Sequence, residues 1–75
     1  MVKTYHVTAL WDSEADVWIS QTDIPGLNIE AETLGEFEQL VMELAPEMLS
    51  ENENIHGAEV ILDFRAQATR TLEVA

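Results

Sequence analysis

The sequence predicts an α+β domain of order βββαβ, a four-stranded sheet with one helix on one face. Three observations predict it. Two alternating runs flank the polar link Ser13–Asp16, a Pro25-Gly26 pair marks a second reversal, and one apolar stripe of helical period begins at Thr33. All 75 residues are expected to form a single domain, residues 1–75.

The first run, Lys3 to Asp12, places Tyr5, Val7, Ala9 and Trp11 on one face and His6, Thr8 and Leu10 on the other. The first face is the more apolar and is assigned to the core. After the turn chemistry of Ser13–Asp16, the run Asp16 to Thr22 alternates again. Val17, Ile19 and Gln21 oppose Trp18, Ser20 and Thr22, and the first set is given to the core. In Asp23-Ile24-Pro25-Gly26-Leu27, proline presets φ and glycine accepts the positive φ of a type II turn. Leu27, Ile29 and Ala31 then return along a third strand facing inward.

Thr33-Leu34-Gly35-Glu36 is a capping box. From it Leu34, Phe37, Leu40, Val41, Leu44 and Met48 recur along one helix face to about Ser50. Pro46 removes an amide and crowds the Met42 carbonyl, which predicts a kink or a break there. Ser50 to Gly57 reads as a loop, and Ala58 to Ala66 as the last strand, with Val60, Leu62 and Phe64 inward and Ile61, Asp63 and Arg65 outward. Residues 66–75 show no strong period and either extend the strand or form an arm that packs on a neighbour. A right-handed crossover through the helix would lay the last strand parallel to the first and third. The second sheet face is then uncovered, and Trp18, Leu10 and Ile61 are assigned to it, which points to self-association as a dimer or higher oligomer.

Charge narrows the function classes. Fifteen Asp and Glu against three Lys and Arg give a formal charge of -12. That field repels phosphate backbones and anionic lipid, so no direct nucleic-acid or membrane binding is expected, while a basic protein would be attracted. Cysteine is absent, which removes disulfides, thiolate metal sites and thiol nucleophiles. With no disulfides and no signal peptide, a cytoplasmic location is the default.

Trp11-Asp12, Glu14-Ala15, Val17-Trp18, Asp23, Pro25-Gly26-Leu27, Glu30-Ala31, Thr33-Leu34 and Phe37 together resemble the pattern of HicB-like antitoxin domains. The nearest pattern is that of a short subgroup with a WDxEAxVW hairpin, and Ala45-Pro46-Glu47-Met48-Leu49 resembles its helix end. The resemblance covers roughly residues 5 to 50. It implies a partial RNase H-like βββαβ fold and a non-enzymatic protein that masks a small basic mRNA-cleaving toxin. Two departures stand beside it. The spacing from Trp18 to Pro25-Gly26 is one residue short. No DNA-binding segment follows within these residues, whose only Lys and Arg are Lys3, Arg65 and Arg70.

Catalytic alternatives fare worse. A metal-dependent nuclease needs convergent carboxylates, yet Tyr5 to Trp11 has none, which leaves Asp63 and Glu36 to hold a metal alone. Asp12, Glu14 and Asp16 have the alternate spacing of a calcium loop, but Val17 stands where glycine is needed, so a solvated hairpin turn is the better reading. His6 and His56 are separated in sequence and lack cysteine partners. No metal or other cofactor is expected. Glu36, Glu43 and Glu47 share one helix face, which is either an ordinary solvated face or a docking surface for a basic partner. The expected function is therefore partner masking through Trp18, Leu10, Ile61 and these glutamates. The alternative is a homo-oligomeric scaffolding domain with no toxin partner.

Overall fold

The computed structural model describes residues 2–75. Strands β1 (Lys3–Asp12), β2 (Val17–Thr22) and β3 (Glu30–Ala31) precede helix α1 (Leu34–Asn52) and strand β4 (Val60–Gln67). The sheet order is β3-β2-β1-β4. β2 is antiparallel to both β1 and β3, and β4 lies parallel to β1. This is the βββαβ arrangement expected from the pattern, with β1 and β2 inside and β4 and the short β3 at the edges.

Local chemistry sets each reversal. Asp12 Oδ1 accepts the amides of Glu14 at 3.0 Å and Ala15 at 3.4 Å, and Asp16 takes the left-handed φ of 56° that closes the turn. At the second reversal the Leu27 amide donates to the Ile24 carbonyl, and Gly26 has φ 82°. Asn52 Nδ2 donates to the Pro25 carbonyl at 2.9 Å, which ties this turn to the last turn of α1. At the helix start the Thr33 hydroxyl accepts the Glu36 amide at 3.1 Å. The helix runs through Pro46 without a break and ends at Asn52, two residues beyond the expected end. Pro46 is exposed, so its ring meets solvent rather than the sheet.

The core lies between α1 and one sheet face. Phe37, Val41, Ala45 and Leu49, each four residues apart, are the buried helix positions. They meet Tyr5, Val7 and Ala9 of β1, and Leu62 and Phe64 of β4 pack against the same cluster. Phe37 and Phe64 meet edge to face with centroids 5.8 Å apart. Leu27, Ile29 and Ala31 are buried as expected. Leu40, Leu44 and Met48 are half-buried flanks of the stripe, and Leu34 is exposed.

Two expected placements are corrected. Trp18 is not on the uncovered face: it is only 8% exposed and belongs to the core. The cause is hairpin register. Trp11 pairs directly with Trp18, residues opposite one another in an antiparallel pair share a face, and the two rings meet edge-on at 5.2 Å. The inward set of β2 is therefore Trp18, Ser20 and Thr22, and Val17, Ile19 and Gln21 turn outward. Nor does Ile61 stand beside Leu10. The parallel register pairs Ile61 with Thr4 and Leu10 with Gln67, which separates them by about 20 Å along the strands.

Past Gln67 residues 68–75 have no regular structure and are exposed. Arg70 stacks over the Trp11 ring at 4.4 Å, which holds the first part of this arm on the covered side of the sheet. The radius of gyration is 14.4 Å and the longest dimension 55 Å. A compact chain of this length would have a radius of gyration of about 11 Å, so the outline is decidedly elongated.

Gly26 is the most constrained backbone position. Beyond its positive φ, a Cβ there would lie 2.8 Å from Asn52 Nδ2 and 3.2 Å from Met48 Sδ. Gly26→Ala is expected to destabilise the fold by about 1–3 kcal/mol, through strain and loss of the Asn52 tie. Urea unfolding followed by tryptophan fluorescence measures this, and an unchanged midpoint would contradict it.

Candidate functional site: the uncovered sheet face

Among the described residues, no helix or strand lies over the face of the sheet away from α1. Its residues follow from the two registers. β1 contributes Thr4, His6, Thr8, Leu10 and Asp12; β2 contributes Val17, Ile19 and Gln21; β3 contributes Glu30; and β4 contributes Ile61, Asp63, Arg65 and Gln67.

This face divides into an apolar end and a polar end. At the hairpin end Leu10 pairs with Ile19, and Val17 pairs with Asp12. Ile19 is 37% exposed, and Leu10 and Val17 are half-buried. Glu30 stands opposite Ile19 on β3. Around the β3 edge, Val17, Glu30, Ala31, Glu32 and Glu36 line a shallow depression of about 370 Å³. The apolar patch is thus rimmed by Asp12 on one side and by Glu30, Glu32 and Glu36 on another.

Toward the other end, Asp23 gathers the first polar cluster. β2 leaves the ladder after Thr22, and the Asp23 side chain takes over the acceptor role. Its Oδ1 receives the His6 amide at 2.8 Å, and Oδ2 lies 2.9 Å from His6 Nδ1. The Thr22 hydroxyl donates to the His6 carbonyl at 2.7 Å and accepts the Ile24 amide at 3.1 Å. The hydrogen bond from the His6 amide, followed by the one to its ring, holds the Asp23 carboxyl below the ordinary aspartate value of 3.8. On the other flank of His6, Asp63 Oδ2 is 4.0 Å from Nε2 and 3.2 Å from Arg65 Nη2.

Of the predicted site residues, the structure brings together Leu10 and Glu36, through Val17, Ile19 and Glu30. Trp18 lies beneath this patch, on the covered face. Ile61 is 54% exposed but lies at the polar end. Glu43 and Glu47 are exposed about 10 and 16 Å further along α1 than Glu36. Asp63 and Glu36 belong to opposite edges of the sheet, about 14 Å apart by strand spacing, so they do not converge on one ion. Among the described residues no group of three or more His, Asp or Glu is arranged to hold a metal. His56 contacts Ser50 Oγ and Asn54 Oδ1, and Asp12 serves the hairpin turn. No helix among the described residues is long and apolar enough to cross a membrane.

Sequence reasoning missed Val17, Ile19 and Asp23. Counting across the four-residue link would have found the first two: closing the turn at Asp12 and Val17 puts both tryptophans on one face.

Residues 4–74 match a family described as Domain of unknown function (DUF1902). The chain belongs to this family. A solved structure shares the DUF1902 chain's fold: hypothetical protein TTHA1013 from the extremely thermophilic bacterium Thermus thermophilus, with 41% identity over 96% of this chain and 100% of that one, and a TM-score of 0.70. A comparison with curated proteins gives no match.

The Asp23 clasp has a signed pH dependence. Because folding lowers its carboxyl value, the carboxylate stabilises the DUF1902 fold fully above the unfolded value near 3.8, and the contribution is lost as pH falls through the folded value. Asp23→Asn is expected to melt below wild type at neutral pH, with the gap closing in strong acid. Thermal melts of both proteins from neutral pH to pH ~2 measure this, and a gap independent of pH would contradict it.

Proposed function

We propose that this chain is a non-enzymatic protein-binding domain whose uncovered sheet face takes a small basic protein. The observation that carries the reading is the Leu10–Val17–Ile19 patch rimmed by Asp12, Glu30, Glu32 and Glu36. Apolar residues there gain by desolvation on contact, and the carboxylate rim favours a cationic partner and speeds its approach. The overall charge of -12 acts in the same direction. The hairpin and turn motifs resemble those of HicB-like antitoxin domains, and on that resemblance the partner is a basic mRNA-cleaving toxin, masked by contact. Loss of affinity at high salt is part of the same reading.

The alternative is a homo-oligomeric scaffolding domain without a toxin. Free apolar surface at the β4 edge and in the arm favours it, and the two readings use different surfaces.

Co-expression with the product of the adjacent gene tests the first reading. A small basic product that arrests growth alone should be neutralised by this chain, and the complex should weaken as salt rises. Ile19→Asp should abolish protection and reduce affinity by about tenfold or more, with the melting temperature of the free domain little changed. No retained basic protein at low salt, or full protection by Ile19→Asp, would contradict the reading.

A further inference from the structure

We propose that the chain forms a two-fold dimer through the free edge of β4, with each protomer laying residues 71–75 into an apolar groove of the other. This is independent of the basic-partner reading and uses a different part of the molecule.

The edge comes first. The order β3-β2-β1-β4 leaves the outer side of β4 without a neighbour over Val60–Gln67, whereas the opposite edge strand has only two residues. β4 contains neither proline nor lysine, two common devices that blunt a free edge. Its unpaired backbone groups are a template for another strand.

Charge then selects the register. Asp63 and Arg65 flank Phe64 on β4. In an antiparallel pairing of two β4 strands with the axis at Phe64, Asp63 of each copy faces Arg65 of the other, twice by symmetry. Moving the axis to Asp63 sets two carboxylates opposite each other, and moving it to Arg65 sets two guanidinium groups opposite. Cross-strand pairs of opposite charge stabilise and like pairs destabilise, so the Phe64 register is favoured. It also keeps both helices on one side of a continuous eight-stranded sheet.

The arm supplies the third observation. Leu72 and Val74 are 83% and 86% exposed. At the opposite end of β4 from the arm, Met42, Pro46, Leu49, Ile55, Val60 and Leu62 line a predominantly apolar groove of about 390 Å³ between α1, the 53–59 loop and the start of β4. Met42 at its margin is 63% exposed. Continuing the Phe64 register to Val60 directs the second copy's arm past the start of β4 and toward this loop, which turns at Gly57 with φ 60°. Leu72 and Val74 have the same parity as Val60, Leu62 and Phe64, and Arg70 already lies on the covered side over Trp11. Extended, the arm would turn both side chains toward the groove. One register thus pairs the charges, satisfies the edge and fills the groove with residues that otherwise face water.

Two copies at -12 each repel, so salt should strengthen this contact, the reverse of its effect on a basic partner. Sedimentation equilibrium of the full chain over a range of concentrations, at low and high salt, tests the proposal. The expected result is a monomer–dimer equilibrium that tightens with salt. Leu72→Ser with Val74→Ser should raise the dissociation constant about tenfold or more, without changing the circular dichroism of dilute protein, because both side chains are exposed in the monomer. Arg65→Asp should weaken the dimer, and adding Asp63→Arg should restore it. A monomer at every concentration and salt would overturn the proposal, and so would a dimer unaffected by the arm variant or by Arg65→Asp.

Discussion

A single 19-residue helix packed on four strands can cover one side of the sheet, and nearly everything else about this chain depends on that contact. Phe37, Val41, Ala45 and Leu49 form a row four residues apart, and it lies against the alternate positions Tyr5, Val7 and Ala9 of β1. Phe37, Val7 and Val41 are the largest side chains fully removed from solvent. Burying side chains of this size stabilises the fold by about 1.5–3 kcal/mol each. Once β1 is fixed this way round, pairing dictates the facing of every residue on β2 and β4. The covered face becomes core, and the other face is left with Leu10, Val17 and Ile19 beneath no helix.

The ends of the helix are held by different means, and each end leaves something for function. At its start the Thr33 hydroxyl caps the first turn and presents Glu36 beside β3, where it joins Glu30 and Glu32 at the rim of the open face. At its finish Asn52 ties to the Pro25 carbonyl, and Gly26 admits the close approach of that side chain. The loop that follows, residues 53–59, joins the helix to β4 and leaves the apolar groove between them. A continuous core there would require a residue that the chain itself does not place. The two surfaces are therefore by-products of one packing choice, with opposite expected responses to salt.

Much of this architecture is legible in the sequence, because each strong local signal agrees with its neighbours. Pro25-Gly26, Thr33 with Glu36, and the alternation of Tyr5, Val7 and Ala9 give the turn, cap and central strand directly. The facing of β2 is not legible from its own alternation, since Val17, Ile19 and Gln21 are about as apolar as Trp18, Ser20 and Thr22. Hairpin register decides it, and register depends on counting the turn. The separation of Ile61 from Leu10 is hidden for a similar reason: the offset of a parallel strand is set by the crossover, which no local pattern encodes. Asp23 looks like an ordinary turn residue until β2 leaves the ladder and its carboxylate replaces a backbone acceptor for His6.

The facing of β2 is the point on which the location of the candidate site depends, and Trp18 reports it directly. In Trp11→Phe, Trp18 is the only tryptophan, and its environment can be read by fluorescence with acrylamide quenching. A blue-shifted emission that is shielded from quencher until the protein unfolds is the expected result. A red-shifted emission quenched as readily in the folded protein as in urea would place Trp18 in solvent, return Val17 and Ile19 to the core, and contradict the account.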